Sequence, residues 1–265
     1  MSNKTAISWT ERTWNPVTGC SHVSPGCLHC YAETLSLRYG WSKKPWTAQN
    51  AAENVVLHPN RLNQPLSWRE PAMCFVNSMS DLFHEQVPFE FIDQVFDVME
   101  RCSHHTFQVL TKRPERMLEY TLRRWTPGEL PAHVWLGVSV EDQRRANERI
   151  PILIEVPAIV RFLSCEPLLG PVDLSLHGRL EDGDFYGFWI GWVIAGGESG
   201  PGHRPMNLDW ARTIRDQCLD AGIPFFFKQS SALRPGHNPV LDGQEWHQFP
   251  ESHGVHAVER QGVLV

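Results

Sequence analysis

Short apolar runs of strand length alternate with longer amphipathic stretches through most of this 265-residue chain. The runs lie at 72–76, 106–110, 134–138, 159–163, 192–195 and 224–227. Between them, apolar residues recur at helical spacing after Pro88 and again between Asn207 and Gly222. Strands separated by helices pair in parallel through right-handed crossovers. The alternation therefore predicts an α/β fold with mostly parallel strands, either an open doubly wound sheet or a partial or complete (β/α) TIM-like barrel.

Almost every run ends in polar residues, and the barrel interpretation explains why. Active sites of (β/α) barrels form at the C-terminal ends of their parallel strands. We therefore favour the barrel and expect the site at this edge of the sheet. The candidate residues in these positions are Ser78, Asp81, Lys112, Ser139, Glu141, Glu166 and Glu198.

The length of the chain fits one barrel domain, which we place at 1–231. Two regions interrupt the alternation and are predicted insertions: a Trp- and Pro-rich stretch at about 36–71 and a polar, Gly-containing stretch at 173–191. The His- and Gly-rich segment 232–265 is predicted to be a loop-rich C-terminal extension packed on the barrel.

The charge and hydropathy of the chain limit the classes of partner that it is expected to bind. The formal net charge is −6, which argues against broad nonspecific binding of nucleic acid. Local basic spots could still follow a phosphate backbone. They comprise Lys112, Arg113, Arg116, Arg123, Arg124, Arg144, Arg145 and Arg149. No apolar run is long enough to cross a bilayer, and the N-terminus lacks the apolar stretch of a signal peptide. We expect a cytoplasmic protein with no membrane partner.

Three of the seven cysteines, Cys20, Cys27 and Cys30, lie within eleven residues, on a loop that also contains Pro25 and Gly26. In a reducing compartment such a cluster indicates a metal site rather than disulfides. Three thiolates leave one coordination position for another ligand. Spacing alone allows a structural zinc completed by His22 or His29, a zinc hydrolase with an open water site, or an iron–sulfur cluster with one open iron.

The cysteine loop resembles that of the radical S-adenosylmethionine (SAM) superfamily, whose three cysteines follow the first strand of a partial (β/α) barrel. The usual gaps are three and two residues, whereas here they are six and two. Over nearly its full length the chain resembles a phage-associated family of uncharacterised radical-SAM-like proteins, with spore photoproduct lyase as a distant analogue. The segments that carry this resemblance are 14–20, 27–32, 109–113, 136–139, 164–167 and 196–198.

The resemblance implies a 4Fe-4S cluster on Cys20, Cys27 and Cys30 that binds the methionine end of SAM at its open iron. One-electron cleavage of SAM would then give a 5′-deoxyadenosyl radical that abstracts a hydrogen atom from the substrate. The implied substrate is a nucleotide or nucleic acid, and the implied electron donor is a reductant such as flavodoxin or ferredoxin. The oligomeric state stays open.

The same resemblance implies roles for the polar residues at the strand ends. Asp81 and Ser78 are expected to bind the ammonium of SAM, and Lys112 its carboxylate. Ser139 and Glu141 are expected at the ribose hydroxyls or the carboxylate. His29 occupies the position of an aromatic residue that packs near the adenine in the superfamily.

Three further residues are candidates for catalysis. Glu166 and Glu198 each follow an apolar run and are expected to point into the barrel mouth, where a carboxylate needs a partner; Arg161, Arg204, Lys228 and Gln229 could supply it. Cys165 could donate a hydrogen atom to a product radical, or it could be a buried structural cysteine.

A noncatalytic protein is the alternative function. In that case Cys20, Cys27 and Cys30 form a structural zinc site in an interaction module or a nucleic-acid-associated module. A zinc hydrolase is the third possibility, although three thiolates leave zinc electron-rich and poorly suited to activating water.

Overall fold

The strands follow the alternation seen in the sequence. The computed structural model describes residues 5–126, 129–176 and 190–251. In chain order its strands are β1 (Arg12–Trp14), β2 (Val17–Thr18), β3 (Val56–Leu57), β4 (Met73–Val76), β5 (Thr106–Thr111), β6 (Val134–Ser139), β7 (Arg161–Cys165), β8 (Trp192–Gly196), β9 (Phe225–Gln229), β10 (Val240–Leu241) and β11 (Gln244–Glu245). One seven-stranded parallel sheet has the order β1-β4-β5-β6-β7-β8-β9, and it curls into a half-barrel.

The helices connect neighbouring strands of this sheet. They are α1 (Tyr31–Arg38), α2 (Ala51–Asn54), α3 (Phe89–Arg101), α4 (Pro114–Arg124), α5 (Gln143–Glu155) and α6 (Leu208–Ala221). Helix α5 begins at a cap in which the Asp142 side chain accepts a hydrogen bond from the Arg145 amide, and Asn207 caps α6 in the same way. The α/β class with parallel strands is thus confirmed. No helix in the described ranges has the length and apolar character to cross a membrane.

Each face of the curled sheet carries its own apolar layer, because successive strand residues point to opposite sides. The helix-facing layer joins Val76, Leu136 and Leu163 to apolar residues of α3–α6. The concave layer contains aromatic residues, and Trp9 packs into it from the N-terminal segment, with its ring centroid 4.7 Å from that of Phe75. Strands buried on both faces explain the nearly continuous apolar runs in the sequence.

All six predicted runs overlap a strand of the sheet. The largest shift is in β7, which begins at Arg161 rather than at 159. Ile159 is 52% exposed and lies before the strand. The predicted run therefore included Ile159 because it is apolar, although it lies outside the strand.

The first predicted insertion lies between α1 and β4. It contains α2, β3 and three short 3-10 turns, Ala48–Asn50, Pro59–Arg61 and Pro65–Ser67. Strand β3 pairs antiparallel with β2, directly before the cysteine loop. In the second predicted insertion, 173–191, residues 177–189 lie outside the described residues.

The described part of the C-terminal extension packs against the edge of the sheet. Trp246 O accepts a hydrogen bond from Phe227 N (2.8 Å), and Gln248 N donates to Phe225 O (3.1 Å). These bonds cover the free edge of β9 with backbone partners. Residues 252–265 lie outside the described residues.

Candidate active site

A pocket opens at the C-terminal ends of the parallel strands. Its floor is apolar and includes Trp9 and Phe75. Its polar lining consists of Cys20, Ser21, His22, Cys27, Cys30, Tyr31, Asn77, Ser78, Ser80, Asp81, Thr111, Lys112, Arg113, Ser139, Ser164, Glu166 and Lys228. The structure therefore brings the three clustered cysteines together with most of the polar strand ends named from the sequence.

One segment carries all three cysteines to this pocket. Cys20 follows β2, Cys27 ends a 3-10 turn (Pro25–Cys27), and Cys30 is the residue before the first turn of α1. Cys30 N donates to Cys27 O (3.3 Å), which closes the turn between them. All three thiols are free and partly buried. The loop thus presents three sulfur ligands to one space.

The electrostatics of the metal-free pocket favour the protonated form of two of the three thiols. Burial, reinforced by the charge of Asp81, raises the pKa of Cys20 to about 12 against the opposing effect of Arg113. Burial also raises the pKa of Cys30. Both thiols are therefore protonated at neutral pH in the metal-free protein, and binding of a metal would release those protons.

The positions of the possible ligand side chains indicate which kind of metal group the pocket could hold. Within the described ranges, no group of three or more Cys, His, Asp or Glu side chains is placed to hold a metal ion. A 4Fe-4S cluster places different demands on its ligands, because its three thiolates bind three different irons and stand farther apart. The pocket also contains a buried amide donor, Asn77 Nδ2, that has no hydrogen-bond partner among the described residues. Such a donor fits an acceptor oxygen of a bound ligand.

Asp81 and Arg113 form the first of three ion pairs that hold the cysteine loop on the sheet. Arg113 Nη1 lies 3.1 Å from Asp81 Oδ2, and both side chains are nearly fully buried. Arg113 Nη2 also donates to Ser21 O (3.2 Å), and Nη1 lies 3.6 Å from Cys20 Sγ. This guanidinium therefore ties the end of β5 to the backbone beside Cys20.

The carboxylate oxygens of Asp81 have little capacity left to accept further hydrogen bonds. Its oxygens accept hydrogen bonds from Thr111 Oγ1 (2.7 Å), Phe83 N (3.0 Å) and Lys112 N (3.1 Å) in addition to Arg113. Burial acts to raise the pKa of Asp81, but the guanidinium and these donors lower it below its ordinary value. Asp81 lines the pocket as expected, and its contact with the ammonium of a ligand stays a prediction.

Glu141 and Arg149 form the second pair. Arg149 Nη1 lies 2.8 Å from Glu141 Oε2, and it also donates to Ser139 O (2.8 Å). The other carboxylate oxygen of Glu141 accepts a hydrogen bond from Ser24 Oγ in the cysteine loop. Glu141 is fully buried and thus holds the loop, instead of facing a ribose as expected.

Glu198 and Arg204 form the third pair. Arg204 Nη2 lies 2.5 Å from Glu198 Oε1, and it also donates to Pro25 O (3.0 Å). The predicted partner Arg204 is thus confirmed. Glu198 is not among the residues that line the pocket, because its carboxylate turns to the arginine that holds the loop.

Two cationic side chains remain directed at the pocket. Lys112 Nζ donates to Ser139 Oγ (2.9 Å), and no carboxylate lies within ion-pair distance of it in the described part of the chain. Lys228 Nζ lies 3.1 Å from Glu166 Oε1, and Ser164 Oγ donates to Glu166 Oε2 (3.2 Å). Glu166 therefore lies at the mouth with its predicted partner Lys228.

Ser78 lies at the pocket beside the cysteine loop. Its hydroxyl exchanges hydrogen bonds with the side chain of Asn15, and its carbonyl accepts one from Tyr31 Oη (2.6 Å). His29 is placed outside the pocket lining, near Gly202 and on the side of Glu198. Ser78 thus reaches the predicted region, whereas His29 does not line it.

Cys165 faces the opposite side of its strand. It is fully buried in the helix-facing layer, where burial and the neighbouring Cys218 hold its pKa well above the ordinary value. This position differs from that of a thiol at the barrel mouth. Alternation along β7 is the reason, since Ser164 and Glu166 occupy the concave face and the residue between them cannot.

We expect this burial to protect Cys165 from alkylation. Iodoacetamide applied to the folded, metal-free protein should modify Cys27, which is partly exposed, and leave Cys165 unmodified until the protein is unfolded. Mass spectrometry of tryptic peptides measures both sites in one sample. Equal labelling of Cys165 and Cys27 in the folded protein would contradict the placement.

Most of the basic residues that could follow a phosphate backbone face carboxylates instead. Arg116 and Arg123 lie over the ring of Phe89. The paired residues are Arg113 with Asp81 and Glu85, Arg124 with Asp93, Asp97 and Glu100, Arg144 with Glu148, Arg145 with Asp142 and Glu148, and Arg149 with Glu141. Their charge is largely balanced within the fold.

Sequence reasoning missed Arg113 and Asn77 as parts of the site. Arg113 was counted among the basic spots, although a buried carboxylate at a strand end requires a cation and Arg113 follows the next strand. Asn77 has a φ of 62°, a conformation in which asparagine is enriched, and this positions its side chain at the end of β4.

Comparison with known proteins identifies a family and no activity. No match was found among curated proteins or among solved structures. Residues 4–250 match a family model described as a protein of unknown function (DUF5131), and the chain therefore belongs to that family.

Proposed function

We propose that this protein is a radical SAM enzyme built on a partial TIM-like barrel, with a 4Fe-4S cluster on Cys20, Cys27 and Cys30, and that it acts on a nucleotide or nucleic acid. The observation that carries the proposal is the position of the three free thiols. They come from one loop and line a polar pocket at the C-terminal edge of a curled parallel sheet. A structural zinc loop requires no such pocket.

When bound, the cluster and SAM would supply a one-electron cleavage that gives a 5′-deoxyadenosyl radical. The residues of this chain would hold and orient the reactants. Lys112 offers a cation and Asn77 Nδ2 an unpaired donor for carboxylate oxygens. Ser139 and Ser164 add hydroxyl groups on the concave face. The aromatic floor with Trp9 and Phe75 keeps water from one side of the pocket.

The three ion pairs would give this site a rigid support. Each pair joins a strand-end carboxylate to an arginine, and each contacts a different part of the cysteine loop, at Ser21, Ser24 or Pro25. A site whose ligands are fixed by packing and hydrogen bonds holds its geometry better than one on a loose loop. Asp81, Glu141 and Glu198 are thus positioning residues in this proposal.

Anaerobic metal analysis tests the proposal. After reconstitution with iron and sulfide, we expect about four irons and four sulfides per chain and, with a reductant and SAM, formation of 5′-deoxyadenosine. Exchange of Cys20, Cys27 or Cys30 for serine should abolish both. Cys102→Ala is the matched control, because Cys102 is buried at the end of α3, away from the pocket, and this variant should retain the iron.

The alternative function gives a different result in the same measurement. Stoichiometric zinc, no bound iron after reconstitution and no 5′-deoxyadenosine would overturn the radical SAM proposal in favour of a structural zinc site. Zinc content should then fall in the three Cys→Ser variants and persist in Cys102→Ala.

A further inference from the structure

An exposed aromatic and basic surface follows α1, the helix that starts at the cysteine loop. We call this surface the rim patch; it consists of Leu37, Arg38, Tyr39, Trp41 and Lys43. Tyr39 is 57% exposed and Trp41 is 63% exposed. In the described part of the chain Trp41 is the only exposed tryptophan, and the others are buried or partly buried. A contiguous exposed apolar patch marks an interaction surface, whereas a single exposed apolar residue does not.

The backbone holds the two rings of the rim patch in place. Trp41 N donates to Ser36 O (2.8 Å), and Gly40 N donates to Leu37 O (3.2 Å), so the chain turns tightly at the end of α1. The ring centroids of Tyr39 and Trp41 lie 5.2 Å apart with an interplanar angle of 32°. The two rings therefore form a small ordered platform in solvent.

The charge of the rim patch differs from that of the other basic spots. Residues 37–44 contain Arg38, Lys43 and Lys44 and no carboxylate. Lys44 pairs with Glu53, whereas Arg38 and Lys43 pair with no carboxylate in the described ranges. The Arg38 guanidinium lies 5.7 Å from the centroid of Tyr39. Aromatic faces beside unbalanced cations are the combination that binds single-stranded nucleic acid through base stacking and phosphate contacts.

We infer that the rim patch binds single-stranded nucleic acid and directs it toward the pocket. This inference rests on the proposed function for the fate of the bound strand, but the binding itself requires neither cluster nor SAM. A double helix hides its base faces within the stack, so the exposed rings select a single strand over a duplex.

The path from the rim patch to the pocket is short. The eight residues of α1 span about 12 Å, which corresponds to between three and four nucleotides at a stacked rise of about 3.4 Å. The chain then returns to the start of α1, where Trp46 N donates to Glu33 Oε1 (2.7 Å), and Trp46 lines the pocket. A strand stacked on Tyr39 and Trp41 could therefore place a following nucleotide at the pocket mouth.

Fluorescence anisotropy of a labelled ten-thymidine oligodeoxynucleotide tests this inference. We expect binding at low salt that Trp41→Ala weakens about tenfold or more and that Trp41→Phe largely retains, because base stacking needs an aromatic face. Leu122→Ala is the matched control, since Leu122 is also an exposed apolar residue (53%) but lies on α4. Arg38→Gln and Lys43→Gln should each reduce the slope of log affinity against log salt by about one.

Three outcomes would overturn the inference: no binding by the wild type at low salt, an unchanged affinity in Trp41→Ala, or equal affinity for a duplex of the same length. Loss of flavodoxin binding in Trp41→Ala with unchanged oligonucleotide binding would assign the surface to an electron donor instead. The titration is run on metal-free and on reconstituted protein. If no cluster forms, the oligonucleotide titration of the metal-free protein still tests binding by the rim patch. If the oligonucleotide does not bind, the result of the cluster reconstitution is unaffected.

Discussion

Exchange of Arg113 for alanine is expected to lower the free energy of unfolding by about 3–5 kcal/mol, because it leaves the buried carboxylate of Asp81 without its cation. The same change removes the donors to Ser21 O and Ser21 Oγ and the contact to Cys20 Sγ. The cysteine loop would then lose one of the three ion pairs that attach it to the sheet. We therefore expect both lower stability and weaker retention of any metal group bound by Cys20.

Urea unfolding of the metal-free protein separates these effects from metal binding. Arg101→Ala serves as the control, since Arg101 is exposed at the end of α3 and should change stability by less than about 0.5 kcal/mol. Arg113→Lys keeps a cation but not the planar fork, and it should fall between alanine and wild type. A loss below about 1 kcal/mol in Arg113→Ala would show that the pair does not support the loop.

Exchange of Gly19 for alanine is expected to have a similarly large effect, about 3 kcal/mol or more, for a steric reason. A Cβ atom on Gly19 would lie 1.8 Å from Asn54 O, a backbone atom that cannot rotate away. Gly19 also has a φ of 84°, which side chains other than glycine rarely adopt. The residue lies directly before Cys20, and its amide donates to Met79 O (2.9 Å). Relief of the clash would therefore displace the start of the cysteine loop.

Gly222→Ala separates the steric clash from the backbone conformation. Gly222 has a φ of 67°, but nothing lies within 4 Å of its added Cβ, so the change should cost only about 1–2 kcal/mol. Thermal unfolding of the two variants and the wild type, with iron content after reconstitution, measures both consequences. Equal stability of Gly19→Ala and Gly222→Ala would mean that the loop moves aside without cost.

The order of strands and helices could be predicted because it depends on local pattern. Runs buried on both faces, helical spacing and cap residues each involve only a few neighbours in the chain. Convergence of the strand ends also followed, since parallel strands joined by crossovers place their C-terminal ends at one edge. Cys20, Cys27 and Cys30 are close in sequence, and their gathering at that edge required only the position of the loop.

The face on which Cys165 lies could have been inferred as well. Ser164, Cys165 and Glu166 are consecutive, so residues placed on the concave face must exclude the one between them. Of the two roles considered for Cys165, a buried structural cysteine agrees with this period, whereas a thiol at the mouth does not.

The ion-pair partners of the strand-end carboxylates could not be predicted from local sequence pattern. Asp81, Glu141 and Glu198 each pair with an arginine, and one member of each pair also contacts the cysteine loop. The number of carboxylates near the site was visible in the sequence, but their division between loop support and the open pocket was not. That division depends on which cation meets each carboxylate after burial, because a buried charge needs a close partner.

The sequence by itself determined the class of fold, the edge that carries the site and the cluster of three thiols, since each arises from periodicity or from residues a few positions apart. The tertiary structure alone decided that Arg113 ties the loop to the sheet, that Glu141 turns to Arg149 and away from the pocket lining, and that Trp41 stays in solvent. These features depend on contacts between residues distant in the chain and on which surfaces the packed core leaves uncovered. Neither is encoded in any local pattern.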